Sequence, residues 1–248
     1  MGILTTLQEE LLQVFAETEE SNLFYLTGGT ALAAHYLKHR YSRDLDLFTK
    51  EEEIIGYMGD RIQNSLKAKS IETKTIRKLK SFYEILVIKG GQECPIHLGL
   101  DSPFRFEEPE ESLWGVRIDA LVDIATNKLL TLFGRVEPRD FVDVFFLAKE
   151  IFSLNELVEK SKQKDPGLDE YYLAIAFHQA KELPDDISKL PVQMVKPLDV
   201  REMKGYFIKQ AVSLIDKAKK SSIHYTGFDS SDDKLKKSIR FFRGTKYC

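Results

Sequence analysis

The sequence predicts an α+β protein, with a mixed α/β part carrying a small β-sheet over residues 1–118 and a helical part over residues 119–248. Three observations point there. Residues 71–101 alternate with a period of two and are broken by Gly90-Gly91, the pattern of a hairpin. From residue 119 to about 220 the apolar residues recur at helical spacing, with Pro166, Pro184, Pro191 and Pro197 punctuating the loops. The composition changes near residue 118, after a connection over 102–117 that mixes proline, glutamate and aromatics. That change is the best place for a domain boundary.

The elements follow in order. Leu4, Leu7, Leu11, Leu12, Val14 and Phe15 lie on one face of an amphipathic helix over 3–18. Residues 23–27 are apolar and aromatic and read as a buried strand, which Gly28 and Gly29 stop. Thr30 is placed to cap a helix over 31–38, built from good helix formers. A polar loop over 39–43 leads into the strand 44–48, and 50–69 reads as a charged helix. Strands are expected at 71–76, 82–88 and 95–100, and helices at 119–133, 138–151, 154–163, 168–182 and 198–220. Residues 221–248 are polar and weakly periodic, with Ser-Ser-Asp-Asp at 230–233, and read as a tail.

Composition sets limits. With 248 residues, 43% hydrophobic and 30% charged, the chain is long enough to bury a sizeable core. A net charge of −3 excludes a protein that is basic overall, so any nucleic-acid binding rests on a local patch. Candidate patches are 67–69, 74–80, 160–164, 217–220 and 234–243. Phe82, Tyr83, Phe241 and Phe242 lie near two of them, an interleaving that grips an RNA end by phosphate contacts and stacking. Most such runs are solvated helix faces. Two cysteines, Cys94 and Cys248, give no disulfide framework and fit a reducing cytosol. The first ten residues carry no signal peptide and no stretch approaches about 20 uncharged apolar residues, so a cytoplasmic protein with no membrane span is expected.

The chemistry concentrates in residues 24–48. A strand, a glycine turn and a helix N-terminus form a phosphate site from backbone N–H groups and the helix dipole, with Gly28, Gly29 and Thr30 at its centre. Asp44 and Asp46 fall on one face of the next strand, while Leu45 and Leu47 point to the core. Carboxylates two residues apart on a strand share one metal or bridge two ions about 3.5–4 Å apart. Magnesium suits them, because it takes oxygen ligands and keeps waters and substrate phosphates. Either feature alone is usually an ordinary turn or a solvated strand edge; in this order they point to a nucleoside triphosphate and its magnesium.

The segment Gly28-Gly29-Thr30-Ala31-Leu32, then His39-Arg40, then Ser42-x-Asp44-Leu45-Asp46-Leu47-Phe48 resembles the signature of the polymerase-β-like nucleotidyltransferase superfamily and, within it, the AbiEii-type toxins of bacterial toxin–antitoxin and phage-defence systems. The resemblance implies a nucleotidyltransferase domain at the N-terminus and a helical domain closing one side of the nucleotide cleft. It places Arg40 and Ser42 with the glycines and Thr30 among the nucleotide-binding residues, and Asp44 and Asp46 as the metal ligands. It implies magnesium or manganese, a nucleoside triphosphate as substrate, an RNA acceptor such as a tRNA 3′ end, and an antitoxin partner.

The resemblance also exposes a departure. The third acid of the family comes from a neighbouring strand, where this chain reads Pro95-Ile96-His97-Leu98-Gly99-Leu100-Asp101 and carries His97 at the expected position. Three arrangements compete. His97 faces the metal or takes the acceptor's proton, Asp101 or Glu93 stands in for the acid from four residues away, or the third ligand is absent. Further on, Asp123-Ile124-Ala125-Thr126-Asn127-Lys128 matches the run that ends on the triphosphate-binding lysine, a point charge suited to phosphate. Without the resemblance, Lys128 on a mostly apolar helix reads as a snorkelling surface residue. Arg139-Asp140-Phe141-Val142-Asp143 resembles the family's second block. By resemblance Arg139, Asp140 and Asp143 orient Lys128 or the acceptor. The spacing alone permits an Arg139–Asp143 pair and a dipole role for the acids. Two alternatives stand beside the toxin: a catalytically silent nucleotide- or RNA-binding module of the same fold, and a transferase acting on a cationic small molecule of aminoglycoside type.

Overall fold

The computed structural model describes residues 2–111 and 114–221. The chain divides into two compact units: Met1–Ala125 with Gln193–Pro197, and Thr126–Val192 with Leu198–Cys248. The division falls between Ala125 and Thr126, inside a helix, and not at residue 118. The polar tail, its basic cluster at 234–243 and Cys248 lie outside the described residues.

The first unit opens with α1 (Thr6–Ala16), whose N-terminus is fixed by a capping box. The Gln8 amide N–H donates to Thr5 Oγ1 and the Thr5 N–H to Gln8 Oε1. Gln8 is buried, and its Nε2 donates to the carbonyls of Ser42 (2.9 Å) and Arg43 (3.2 Å), so the cap also anchors the loop ahead of the two aspartates. Strand β1 (Phe24–Thr27) follows, then α2 (Gly28–Ala31), which continues as a π-helical stretch over Leu32–Leu37, then β2 (Leu45–Thr49) and α3 (Glu52–Ala68). Strands β3 (Glu72–Lys78), β4 (Phe82–Lys89), β5 (Gln92–Leu100), β6 (Glu110–Glu111) and β7 (Arg117–Ile118) complete the sheet. The strands run in the order β3-β4-β5-β2-β1-β7-β6, with β2–β5 and β1–β7 parallel and the other pairs antiparallel. The connection over 102–117 thus contains two short strands that composition did not reveal.

Register divides the sheet into two faces. Leu26, Leu47, Leu98 and Tyr83 form one buried row, and Leu45, Ile96 and Ile85 the next. Helix α3 packs on β3, β4 and β5 with Ile55, Met58, Ile62 and Leu66 inward. A Cβ on Gly59 would lie 2.1 Å from the Tyr83 ring, so the bare glycine lets α3 approach. Pro95 lies inside β5, but β2 pairs only from Ile96 onward, so the missing N–H costs no bond to β2.

The second unit contains the rest of α4 (Leu121–Arg135), then α5 (Pro138–Glu150), α6 (Leu154–Lys164), α7 (Glu170–His178) and α8 (Val200–Ser221). Ser153 and Asp169 cap α6 and α7, and Pro138 opens α5 at a position where its missing N–H is not needed. Phe207 centres the core, with Phe141 at 5.0 Å and Phe177 at 5.2 Å between ring centroids. The helix expected over 168–182 ends at His178 and tightens into a 3-10 turn over Gln179–Glu182. Gln193–Pro197 belongs to the first unit. There the Val195 and Lys196 amides donate to the His39 carbonyl, and the Tyr41 amide to the Gln193 carbonyl at 2.8 Å.

Candidate active site

Opposite the α3-covered face, register aligns one polar row across four strands. Thr27 of β1 pairs with Asp46 of β2, Asp46 with His97 of β5, and His97 with Glu84 of β4. Paired residues project from the same face, so the row is a consequence of strand order and not of chain proximity. Asp46, His97 and Glu84 are each about a quarter exposed or less, at 24%, 20% and 24%.

The glycine turn and this row form one construction. The helix begins at Gly28 itself, at φ +67, a conformation that L side chains rarely adopt. A Cβ there would lie 2.1 Å from Asp46 Oδ2, so the carboxylate occupies the space that a side chain at 28 would fill. Gly28 is required twice, by its dihedral and by the aspartate seated against it. Thr30 does not cap the helix, because it lies within the first turn. Its buried hydroxyl donates instead to the Asp44 carbonyl and ties the helix start to the start of the acidic strand. Asp44 itself lies one residue ahead of β2, half-buried.

His97 Nδ1 lies 2.8 Å from Asp46 Oδ1, and its Nε2 lies 4.0 Å from Glu84 Oε1. A carboxylate only accepts, so Nδ1 carries the proton. Burial pulls the imidazole down. The hydrogen bond and charge of Asp46, with the charges of Asp44 and Glu84, outweigh it and hold His97 above its ordinary value. Of the substitutes for the family's third acid, Asp101 is engaged elsewhere: it accepts from Tyr25 Oη at 2.5 Å and pairs with Arg105 at 2.8 Å. Glu93 is exposed at the far end of β5, paired with Ile88. The acid nearest His97 on its other side is Glu84, which the sequence hides in an apolar strand. A lone carboxylate within Phe82–Ile88 was the signal available.

A second feature was also missed. Thr27 Oγ1 donates to Asp119 Oδ2 at 2.5 Å, and Asp119 is bonded in turn to Arg105, whose side chain is 3% exposed. Arg105 lies over the Tyr25 ring at 4.4 Å. Burial pushes the Asp119 carboxyl above the usual range, against the pull of Arg105 and Thr27. Asp123 accepts the Phe106 and Glu107 amides at 3.1 Å. This network ties the segment carrying Arg105 to Tyr25 and Thr27 of β1.

The remaining candidates are held separately. Arg40 is buried, with Nη1 donating to the Tyr41 carbonyl at 2.9 Å, and Ser42 presents its carbonyl to Gln8. In the second unit Lys128 is not a snorkelling residue: it is buried and paired to the fully buried Asp143 at 2.8 Å. Asp140, also fully buried, takes a bidentate contact from Arg135 at 2.8 and 2.9 Å. Arg139 donates to Glu137 at 2.9 Å. The helix acids thus serve as buried counter-charges as well as dipole partners.

Among the described residues no three His, Cys, Asp or Glu side chains gather as a closed metal cage. The open donor set still fits magnesium. Asp46 is an oxygen donor seated against the glycine turn, and the Asp44 charge is felt at His97 beside it, so the pair offers the two-carboxylate share of a shell that substrate phosphates and water would complete.

The chain is similar to known proteins both in sequence and in fold. The model of the family described as nucleotidyl transferase AbiEii toxin, type IV TA system, matches residues 10–205. An uncharacterized protein of Aquifex aeolicus is 29% identical over 168 residues, 65% of this chain and 76% of that protein. JHP933 from Helicobacter pylori superimposes with a TM-score of 0.54 at 20% identity, over 88% of this chain and 93% of its own. MenT4, a nucleotidyltransferase toxin of Mycobacterium tuberculosis, does so with a TM-score of 0.56 at 15% identity, over 85% and 82%. At such identities the solved structures speak for the fold alone. The family model spans most of the chain, and on it the protein belongs to the AbiEii nucleotidyltransferase toxin family of type IV toxin–antitoxin systems.

Proposed function

We propose that the protein transfers a nucleoside monophosphate from a nucleoside triphosphate to a hydroxyl of RNA, such as a tRNA 3′ end, and that this toxic activity is restrained by an antitoxin. The observation that carries the reading is the seating of the Asp46 carboxylate where a Gly28 side chain would lie, which couples a phosphate-binding turn to a metal-binding strand. The backbone amides of Gly28, Gly29 and Thr30 bind phosphate oxygens. Asp44 and Asp46 hold magnesium or manganese, which when bound supplies positive charge against the triphosphate and the attacking oxygen. The acceptor oxygen bonds to the α-phosphorus, the bond from that phosphorus to the bridging oxygen breaks, and pyrophosphate leaves. The hydroxyl proton passes to His97 Nε2 when the ring is neutral with Nδ1–H facing Asp46, a form reached above the raised pKa of the imidazole. The family resemblance assigns Lys128 to the triphosphate charge, Arg139, Asp140 and Asp143 to orienting Lys128 or the acceptor, and Arg40 and Ser42 to binding the nucleotide.

Asp46→Ala tests this assignment. Transfer should vanish while thermal unfolding stays within a few degrees of wild type; a variant that fails to fold would make Asp46 structural instead. The histidine in the third-acid position favours one further reading, a silent nucleotide-binding module. That reading requires a nucleotide-induced rise in melting temperature with no transfer product under any metal.

A further inference from the structure

The polar row does not end at Glu84. Across β3, Arg77 pairs with Glu84, and Lys74 pairs with Leu86, so both basic side chains project from the same face as His97 and Asp46. The neighbouring bases of the cluster are turned elsewhere: Lys78 is bound to Asp60 of α3, and Lys80 to Glu52 and Glu53. Among the side chains of β4, Phe82 and Glu84 are half-buried on this face, while Tyr83, Ile85 and Val87 are buried under α3.

Phe82 joins the two ends. Its ring centroid is 5.7 Å from that of His97, tilted by 35°, and the Arg77 guanidinium sits over it at 5.7 Å. A cation, an aromatic face and the catalytic row are therefore stacked side by side. Arg77 is 42% exposed, and its ion pair with Glu84 is long at 4.0 Å. A cation–π contact at such exposure is weak, and so is an exposed ion pair. A base stacked on Phe82 would bring the phosphate that follows it to the Arg77 guanidinium. From Arg77 to Asp46 is three strand spacings, about 14 Å. A stacked strand rises about 3.4 Å per nucleotide, so that span takes the last few nucleotides of a chain.

We propose that this face of β3–β4–β5 is the platform for the acceptor strand: a base near the 3′ end of single-stranded RNA stacks on Phe82, with Arg77 and Lys74 on its phosphates. The platform orients the terminal hydroxyl along the row toward Asp46. The proposal rests on the RNA acceptor of the preceding reading and names the residues that recognise it. Phe82 and Arg77 are positioning residues and touch no reacting atom.

The test measures binding of a short single-stranded RNA with a free 3′-hydroxyl by fluorescence anisotropy, beside steady-state transfer kinetics. Phe82→Leu keeps the apolar bulk but removes the π face, and should weaken RNA binding roughly tenfold. Phe82→Trp should bind as wild type, a distinction that a packing role would not make. Arg77→Gln should flatten the slope of log affinity against log salt by about 0.7 to 1. Lys89→Gln, which breaks only a pair with Glu10, should leave that slope alone. In kinetics the Phe82→Leu change should fall on KM for RNA, with KM for the nucleotide unchanged. Wild-type affinity in Phe82→Leu, a loss that appears for the nucleotide instead, or a wild type that binds no RNA would each overturn the platform. Phe82-dependent RNA binding without transfer would leave the platform standing and sink the enzymatic reading.

Discussion

At Gly28 a single hydrogen in place of a side chain decides whether the site exists. Replacement by alanine forces a Cβ into a positive-φ backbone and onto Asp46 Oδ2. Gly28→Ala should cost about 1–3 kcal/mol in denaturant unfolding and abolish transfer, because the carboxylate must leave its seat. Arg105 has no comparable slack. With Asp101 and Asp119 buried against it, Arg105→Met should cost about 3–5 kcal/mol, read as a fall in unfolding midpoint at unchanged slope. The two residues differ in legibility. Gly28 and Asp46 lie 18 positions apart in one motif, so the sequence pairs them. Glu84, Asp119 and Arg105 meet their partners only through strand register and long-range packing, and no local pattern announces that.

The strand–turn–helix–strand unit at the level of elements was readable because alternation, glycines and helix formers all agree over residues 24–48. What failed were elements too short to have a period. Strands β6 and β7 are two residues each and are defined by pairing with β1 and each other. The helix start was displaced to Gly28 because a glycine at positive φ opens it in place of a side-chain cap. Helices α4 and α5 carry the second charge pair. Lys128→Met should destabilise by about 3 kcal/mol through the stranded Asp143. Adding Asp143→Leu should restore most of that stability without restoring transfer, as expected if the lysine serves the triphosphate; recovered transfer would make the pair purely structural. On α3, Gly59→Ala drives a Cβ into the Tyr83 ring and should cost about 1–3 kcal/mol, with transfer by the folded fraction preserved.

Over the whole molecule, the α+β arrangement followed from a change of hydrophobic period, but the dividing point did not. The units part inside α4, and Gln193–Pro197 returns to the first unit beside the loop at 39–41, a pairing at long range that composition cannot signal. No helix among the described residues is long and apolar enough to cross a membrane. Cys94 is buried, its thiol pushed up to about 12 by burial and the Asp44 charge, so it is no nucleophile for the reaction. The proposed chemistry rests on the carboxylates of Asp44 and Asp46, and one experiment bears on them directly. The purified protein is incubated with each labelled nucleoside triphosphate, magnesium or manganese, and total RNA, beside the Asp44→Ala/Asp46→Ala double variant. The account predicts label in RNA with the wild type only. Folded, nucleotide-binding protein that labels nothing under either metal, or equal labelling by the double variant, would contradict it.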